Sequence, residues 1–292
     1  MVFFRFLSRL PLPVLYRLAD VLYVLLAYLI RYRRKTIREN LRASFPDLPA
    51  TRINRLVKGF YRNLTDLIVE TIKLPSLPAE ELSRRVVFYN DEPVKKYLRQ
   101  GRAVIGMASH QCNWEWIPPA SVLNGMPTDS VYKPLKSEFF EQLMRLIRSR
   151  FGAHPLPMTK IPREMAARRH TPRIVALVAD QVPDQPEYGY WMPFLHRDTP
   201  FYPGTERLAR SFNLPVFFLE TVRIGRGYYR ATFYPVAEPP YDNLPNGAIL
   251  ERYRLLLEQS IHRNPADWLW SHKRWKHKRE EYEGRIRGKI NA

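Results

Sequence analysis

Residues 173–180, RIVALVAD, constrain the fold most. The apolar run from Ile174 to Ala179 does not alternate with polar residues, so it reads as a strand of buried type ending in an acid. RAVIGMA (102–108) reads as a second strand and DSVYK (129–133) as a third. LPVFFLETVRIGRGYYRATFYPV (214–236) reads as a strand pair turning at Gly225-Arg226-Gly227. Helical spacing fills the intervals. TRINRLVKGFYRNLTDLIVETIK (51–73) repeats apolar residues at three and four, with Thr51 as its N-cap. Further helices are predicted over 92–100, over 137–152 with Ser137 as cap and Gly152 as stop, over 205–213 and over 246–263. Strands alternating with helices predict an α/β fold with a mixed central sheet flanked by helices, the last strand pair adding an antiparallel edge. In such sheets, sites form at the carboxyl ends of strands.

Residues 10–30, LPLPVLYRLADVLYVLLAYLI, approach the length of a bilayer span. Arg17 and Asp20 interrupt them, so three readings stay open: a transmembrane anchor, an interfacial amphipathic helix, or a helix packed on the domain. RYRRKTIR (31–38) follows, with five basic residues in eight. The positive-inside rule keeps that end, and the chain after it, cytoplasmic. Two units are expected: a membrane anchor or interfacial helix over 1–34 and a single larger domain over 35–292. The formal charge of +19, from 47 Lys and Arg against 28 Asp and Glu, calls for an anionic partner. With Cys112 as the only cysteine, neither an intramolecular disulfide nor a Cys-built zinc site is possible. No metal is expected.

One cluster concentrates chemistry. GMASHQCNWEWIPPAS (106–121) follows a predicted strand and holds His110, Cys112, Asn113 and Glu115 between aromatics. His110 and Glu115 are five apart. On a straight helix that spacing turns them roughly 140° apart, and on a strand it puts them on opposite faces. They meet only if the chain turns between them, and Asn113 suits a turn, with Pro118-Pro119 beyond it. In that geometry Glu115 would accept a hydrogen bond from one imidazole nitrogen and make the other a base for a hydroxyl. A polar turn with a surface acid has the same spacing. Cys112 reads as a small packed hydrophobe rather than a nucleophile.

Four segments together carry a resemblance. His110-x-x-x-x-Glu115 after a strand resembles the first motif of the glycerophospholipid-type acyltransferases, and SHQCNWEW resembles the bacterial lipid A biosynthesis acyltransferases. ADQVPD (179–184), FLHRDTPFYPGTERLARSFNLPVFF (194–218) and NPADWLWSHKRWK (264–276) are similar to that family's later segments, in the same order. The resemblance implies late acyl transfer from an acyl-carrier protein thioester to a hydroxyl of a lipid A precursor. The reaction would run at the cytoplasmic face of the inner membrane, without cofactor or covalent acyl-enzyme. It makes His110 the general base and Glu115 its orienting partner. Arg150 would bind a phosphate or the oxyanion, and Asp180 would be a further polar site residue. Gly204 and Thr205 would place donors at a helix start. The expected partners are acyl-carrier protein, the lipid A precursor and the anionic inner membrane, and no nucleic acid. A lysophospholipid or other glycolipid acceptor would use the same residues. A basic, membrane-tethered nucleic-acid-binding protein would use the charge but leaves His110, Glu115 and ADQ unexplained. The 264–276 box reads either as a lipid or carrier contact or as tryptophans packed on the core.

Overall fold

The computed structural model describes residues 2–284. Met1 and residues 285–292, which end the units expected over 1–34 and 35–292, lie outside the described residues. In chain order, α1 (Val2–Arg9) and α2 (Leu12–Val24) come first, and a π turn over Leu25–Leu29 extends α2. Helices α3 (Arg34–Ser44), α4 (Ala50–Lys73) and α5 (Ala79–Arg85) lead to β1 (Val86–Tyr89). Then α6 (Glu92–Arg99) precedes β2 (Val104–Ala108), and α7 (Ile117–Leu123) precedes β3 (Thr128–Tyr132). Next, α8 (Glu138–Arg148) precedes β4 (His154–Pro157), and α9 (Ile161–Ala167) precedes β5 (Ile174–Val178). A hairpin of β6 (Tyr190–Phe194) and β7 (Arg197–Phe201) forms its own two-stranded sheet. The chain continues through α10 (Gly204–Phe212), β8 (Val216–Gly225), β9 (Tyr228–Ala237) and α11 (Ala248–Arg263).

The central sheet has seven strands in the order β1-β9-β8-β2-β5-β3-β4, so the mixed α/β architecture is as predicted. β8, β2, β5, β3 and β4 run parallel, β9 is antiparallel to β8, and β1 is parallel to β9. The pair β8–β9 was expected to form an antiparallel edge. Instead β1 pairs with the outer side of β9 and takes the edge itself. Helix α4 starts at Ala50 after Pro49, which puts Thr51 inside the helix rather than at its cap.

Residues along each strand alternate between two cores, as the pleat requires. Ile105, Met107, Val175, Val216 and Phe218 face one core, which holds Tyr253 and Leu257 of α11. Val104, Ile174, Phe217 and Leu219 face the other, which holds Ile117 and Ala120 of α7 and Leu143 and Ile147 of α8. On that second face Gly106 lies beside Ala176 in register, and Ala108 beside Val178. Small residues at neighbouring positions leave the space that becomes the cavity described below.

The segment Leu12–Leu29 is long and apolar enough to cross a membrane by length and composition. One face of it is docked. Leu12, Leu15 and Ala19 are buried on the domain, while Val14, Leu18 and Val21 face outward. Burying each leucine contributes roughly 1.5–3 kcal/mol. Polar pins add specificity: Tyr16 donates its hydroxyl to Glu70 on α4 at 2.9 Å, and Asp20 pairs with Arg226 at 2.7 Å. A helix free in lipid on all sides would have no use for these partners.

Candidate active site

β2 and β5 are adjacent and parallel, with Ala108 level with Val178. The chain then leaves both strands in step, so His110 and Asp180 each lie two residues past a registered pair. That shared overshoot brings them together. Asp180 Oδ1 lies 2.6 Å from His110 Nδ1, and Asp180 Oδ2 accepts the His110 backbone N–H at 2.8 Å and the Trp268 indole N–H at 2.7 Å. Burial pushes the Asp180 carboxyl upward, but the His110 imidazole and these hydrogen bonds outweigh it and hold the pKa below the ordinary carboxylate value. An ionised carboxylate only accepts, so Nδ1 carries a proton. Nε2 lies 3.1 Å from the side-chain amide nitrogen of Gln181, which donates to it. The Trp114 ring stands edge-on against the imidazole, 4.9 Å between centroids.

The turn expected at Asn113 is present. Asn113 Oδ1 accepts the Trp116 backbone N–H at 3.1 Å, and its Nδ2 donates to the buried Glu70 carboxylate at 2.7 Å. Glu70 also accepts from Tyr229 at 2.6 Å, and its carbonyl accepts the Trp116 indole at 2.9 Å. Pro118 and Pro119 fall in the first turn of α7, where a missing N–H is harmless. Cys112 takes a left-handed φ of 55° and is buried in the core; burial pushes its thiol well above the ordinary value. Such a thiol is a poor nucleophile, in line with its reading as a packed side chain.

The expected His110–Glu115 hydrogen bond is corrected by this geometry. Glu115 binds Arg148 at the end of α8 in a two-point pair, at 2.8 Å from Nε and 2.6 Å from Nη2. The turn does reverse the chain, but β5 supplies the carboxylate for His110 from a neighbouring strand, which the five-residue spacing cannot register. Burial pushes the Arg148 guanidinium toward neutrality, and Glu115 outweighs it, so its pKa is raised and its charge kept. Arg150 also differs from expectation. The helix ends at Arg148, and Phe151 turns left-handed at φ 59°. Arg150 consequently lies over the Phe151 ring, 4.2 Å from its centroid, and does not line the cavity that Arg148 lines.

That cavity holds about 600 Å³. His110, Glu115, Arg148, Gln181, Gly204 and Thr205 form its polar wall. Gly204 and Thr205 open α10, whose N-terminal dipole end therefore borders the cavity. The rest is mostly apolar. The lining runs from Val178 back to Ile174 along β5, about 13 Å at strand rise. Gly106, Ile117, Leu219 and Phe233 close around it. Asp180 is not in the wall; it lies behind His110, buried.

Sequence reasoning passed over Gln181 and Arg148, and it left the role of the C-terminal box open. Trp268 and Trp270 are buried and Trp275 is partly buried against the same core, so the box packs on the core at its tryptophans. It also braces the site. Leu269 N–H donates to the His110 carbonyl at 3.0 Å, Cys112 N–H donates to the Asp267 carbonyl at 3.1 Å, and Trp268 reaches Asp180. His272 is held neutral at physiological pH, its pKa lowered by burial to about 4. Among the described residues, no group of three or more His, Cys, Asp or Glu is placed to hold a metal ion.

The arrangement can accept a proton at Nε2, beside a long apolar cavity, from a hydroxyl that takes the place of the Gln181 amide on that nitrogen's single lone pair. Residues 1–277 match the family model described as bacterial lipid A biosynthesis acyltransferase. A search of curated proteins finds no match.

Proposed function

The chain belongs to the bacterial lipid A biosynthesis acyltransferase family, and from that premise we propose that it moves a fatty acyl chain from an acyl-carrier protein thioester to a hydroxyl of a lipid A precursor, as a late acylation, with His110 as general base. One observation carries this reading: an imidazole whose Nδ1 is fixed on a buried carboxylate while Nε2 faces a cavity with an apolar interior. The acceptor hydroxyl displaces the Gln181 amide from Nε2 and gives its proton to that nitrogen as its oxygen attacks the thioester carbonyl. The tetrahedral intermediate then collapses, the C–S bond breaks, and His110 returns the proton to the leaving thiolate. The attacking oxygen comes from the acceptor, so no acyl-enzyme forms. Asp180 orients the imidazole and stabilises the imidazolium. Arg148, whose Nη1 is not used by Glu115, and the N-terminal end of α10 at Gly204 and Thr205 supply positive potential for the oxyanion. Arg150 remains a candidate for phosphate binding only outside the cavity.

The acyl chain occupies the groove along β5. The excess of 47 basic over 28 acidic residues favours an acidic carrier protein and a phosphorylated acceptor. Residues 1–34 seat the chain on the inner membrane, lying in its interface and docked on the catalytic unit over 35–292. The basic run over 31–38 favours the cytoplasmic face.

The test is the mass of lipid A from cells expressing the parent or a variant in a background that lacks the activity. The parent should add one acyl chain, His110→Ala should add none, and Cys112→Ser should keep most activity. Full addition by folded His110→Ala would overturn the mechanism.

A further inference from the structure

Exposed apolar side chains gather beside the cavity on two helices far apart in sequence. On α1, Phe3 and Phe6 are 65% and 64% exposed. On α8, Phe139 and Phe140 are 41% and 49% exposed, and Leu146 is exposed as well. The helices touch: the rings of Phe4 and Phe139 lie 5.9 Å apart, and Phe4, Leu143 and Leu146 share one crevice. The apolar stripe of α8 is wider than its core contact needs. Leu143 and Ile147 are buried, while Phe139, Phe140 and Leu146 flank them in the open. A helix of this kind has a second apolar environment to face.

Two further observations identify that environment. The surface ends at the cavity, because Leu135 and Lys136, just before α8, line it. The same segments carry an excess of exposed cations: Arg5 and Arg9 on α1, Lys136, and Arg145 on α8, against the exposed Glu138. Aromatic residues with an excess of Arg and Lys suit an anionic lipid surface, with rings among the upper acyl chains and cations at the phosphates. The patch is also continuous in chain with α2, whose outer face carries Val14, Leu18 and Val21.

We propose that α1 and α8 insert together into an anionic bilayer, so that the mouth of the cavity opens at the lipid surface and the acceptor enters from the side. The acceptor's acyl chains then stay in lipid while its hydroxyl reaches His110. The entry route rests on the function proposed above; the insertion itself does not.

Partition of the full chain onto vesicles of phosphatidylglycerol and phosphatidylethanolamine, read by flotation, tests insertion without any activity. Phe139→Ser/Phe140→Ser should lower partition by roughly tenfold or more while the thermal midpoint holds. Parent-like partition of that variant overturns the proposal. It is also overturned if the parent self-associates without lipid and the variant loses that association with partition unchanged, since the face would then cover a second copy. Should the double variant not fold, Phe140→Cys carrying an environment-sensitive dye replaces it. Vesicles should shift its emission to the blue, and an unshifted emission overturns insertion. In the activity arm, the double variant should need more vesicle-borne acceptor for half-maximal rate, with its maximal rate in detergent micelles unchanged. A parent with no transferase activity but normal partition would instead remove the proposed function and leave insertion standing.

Discussion

A fully buried carboxylate persists as an anion only when donors surround it. Asp180 receives three: the His110 ring, the His110 backbone and the Trp268 indole. All three act through His110 or the C-terminal box, so the acid's purpose is visible in its partners. Asp180→Asn keeps the shape but replaces an acceptor pair with one acceptor and one donor, and it favours the wrong imidazole tautomer. The expected result is a fall in kcat of about 10²- to 10⁴-fold with KM for the acyl donor little changed. Steady-state kinetics on folded protein check it. A variant with parent-like kcat would show that His110 needs no orienting acid. His110 could be singled out in the sequence because it follows a predicted strand and opens a segment that resembles the family's first motif. Its partner was not. A carboxylate five residues away and one seventy residues away look equally available until the strand order is known. Arg148 was missed because the resemblance pointed to Arg150, and the sequence does not show that the helix ends at Arg148.

At the scale of elements, the cavity is a product of strand composition. In β2 and β5 the residues facing α7 include Gly106, Ala108 and Ala176, while larger residues point to the other core. A Cβ placed on Gly106 would come within 2.8 Å of the Ile174 side chain. Gly106→Val should therefore cost about 1–3 kcal/mol through overpacking. It should also shorten the acyl chain transferred, read as a lower mass of the added chain. An unchanged chain length with retained folding would place the acyl chain elsewhere. The long strands and most helices were readable because their patterns run over many residues. β1 has only four residues, and β4, HPLP, contains two prolines that suit only the sheet edge it occupies. The β6–β7 hairpin also holds proline in each strand, which hid it. Because β1 was invisible, the β8–β9 pair was assigned the edge that β1 takes.

The whole molecule's stability should respond to pH through groups outside the His110–Asp180 pair. His272 is one. Its pKa falls from 6.5 to about 4 on folding, mainly by burial. Above pH 6.5 neither state binds that proton and the stability is intact. As pH drops toward 4 the unfolded chain is protonated while the folded one is not, so stability is lost through that window. Chemical denaturation between pH 7 and 4 should show this loss, and His272→Gln should flatten it. An equally steep loss in the variant would assign the acid sensitivity to other groups.

The register of β2 against β5 has a consequence for folding fidelity. Successive residues of a strand point to opposite faces, so a slip of one position would turn Asp180 away from His110 and from Trp268. The misaligned sheet would then hold a buried carboxylate stripped of its donors, a penalty on the order of several kcal/mol. The same acid that aims the imidazole thus penalises the wrong alignment of the strands that carry it. Formation of the His110–Asp180–Trp268 cluster thus favours the native register over its one-residue neighbours.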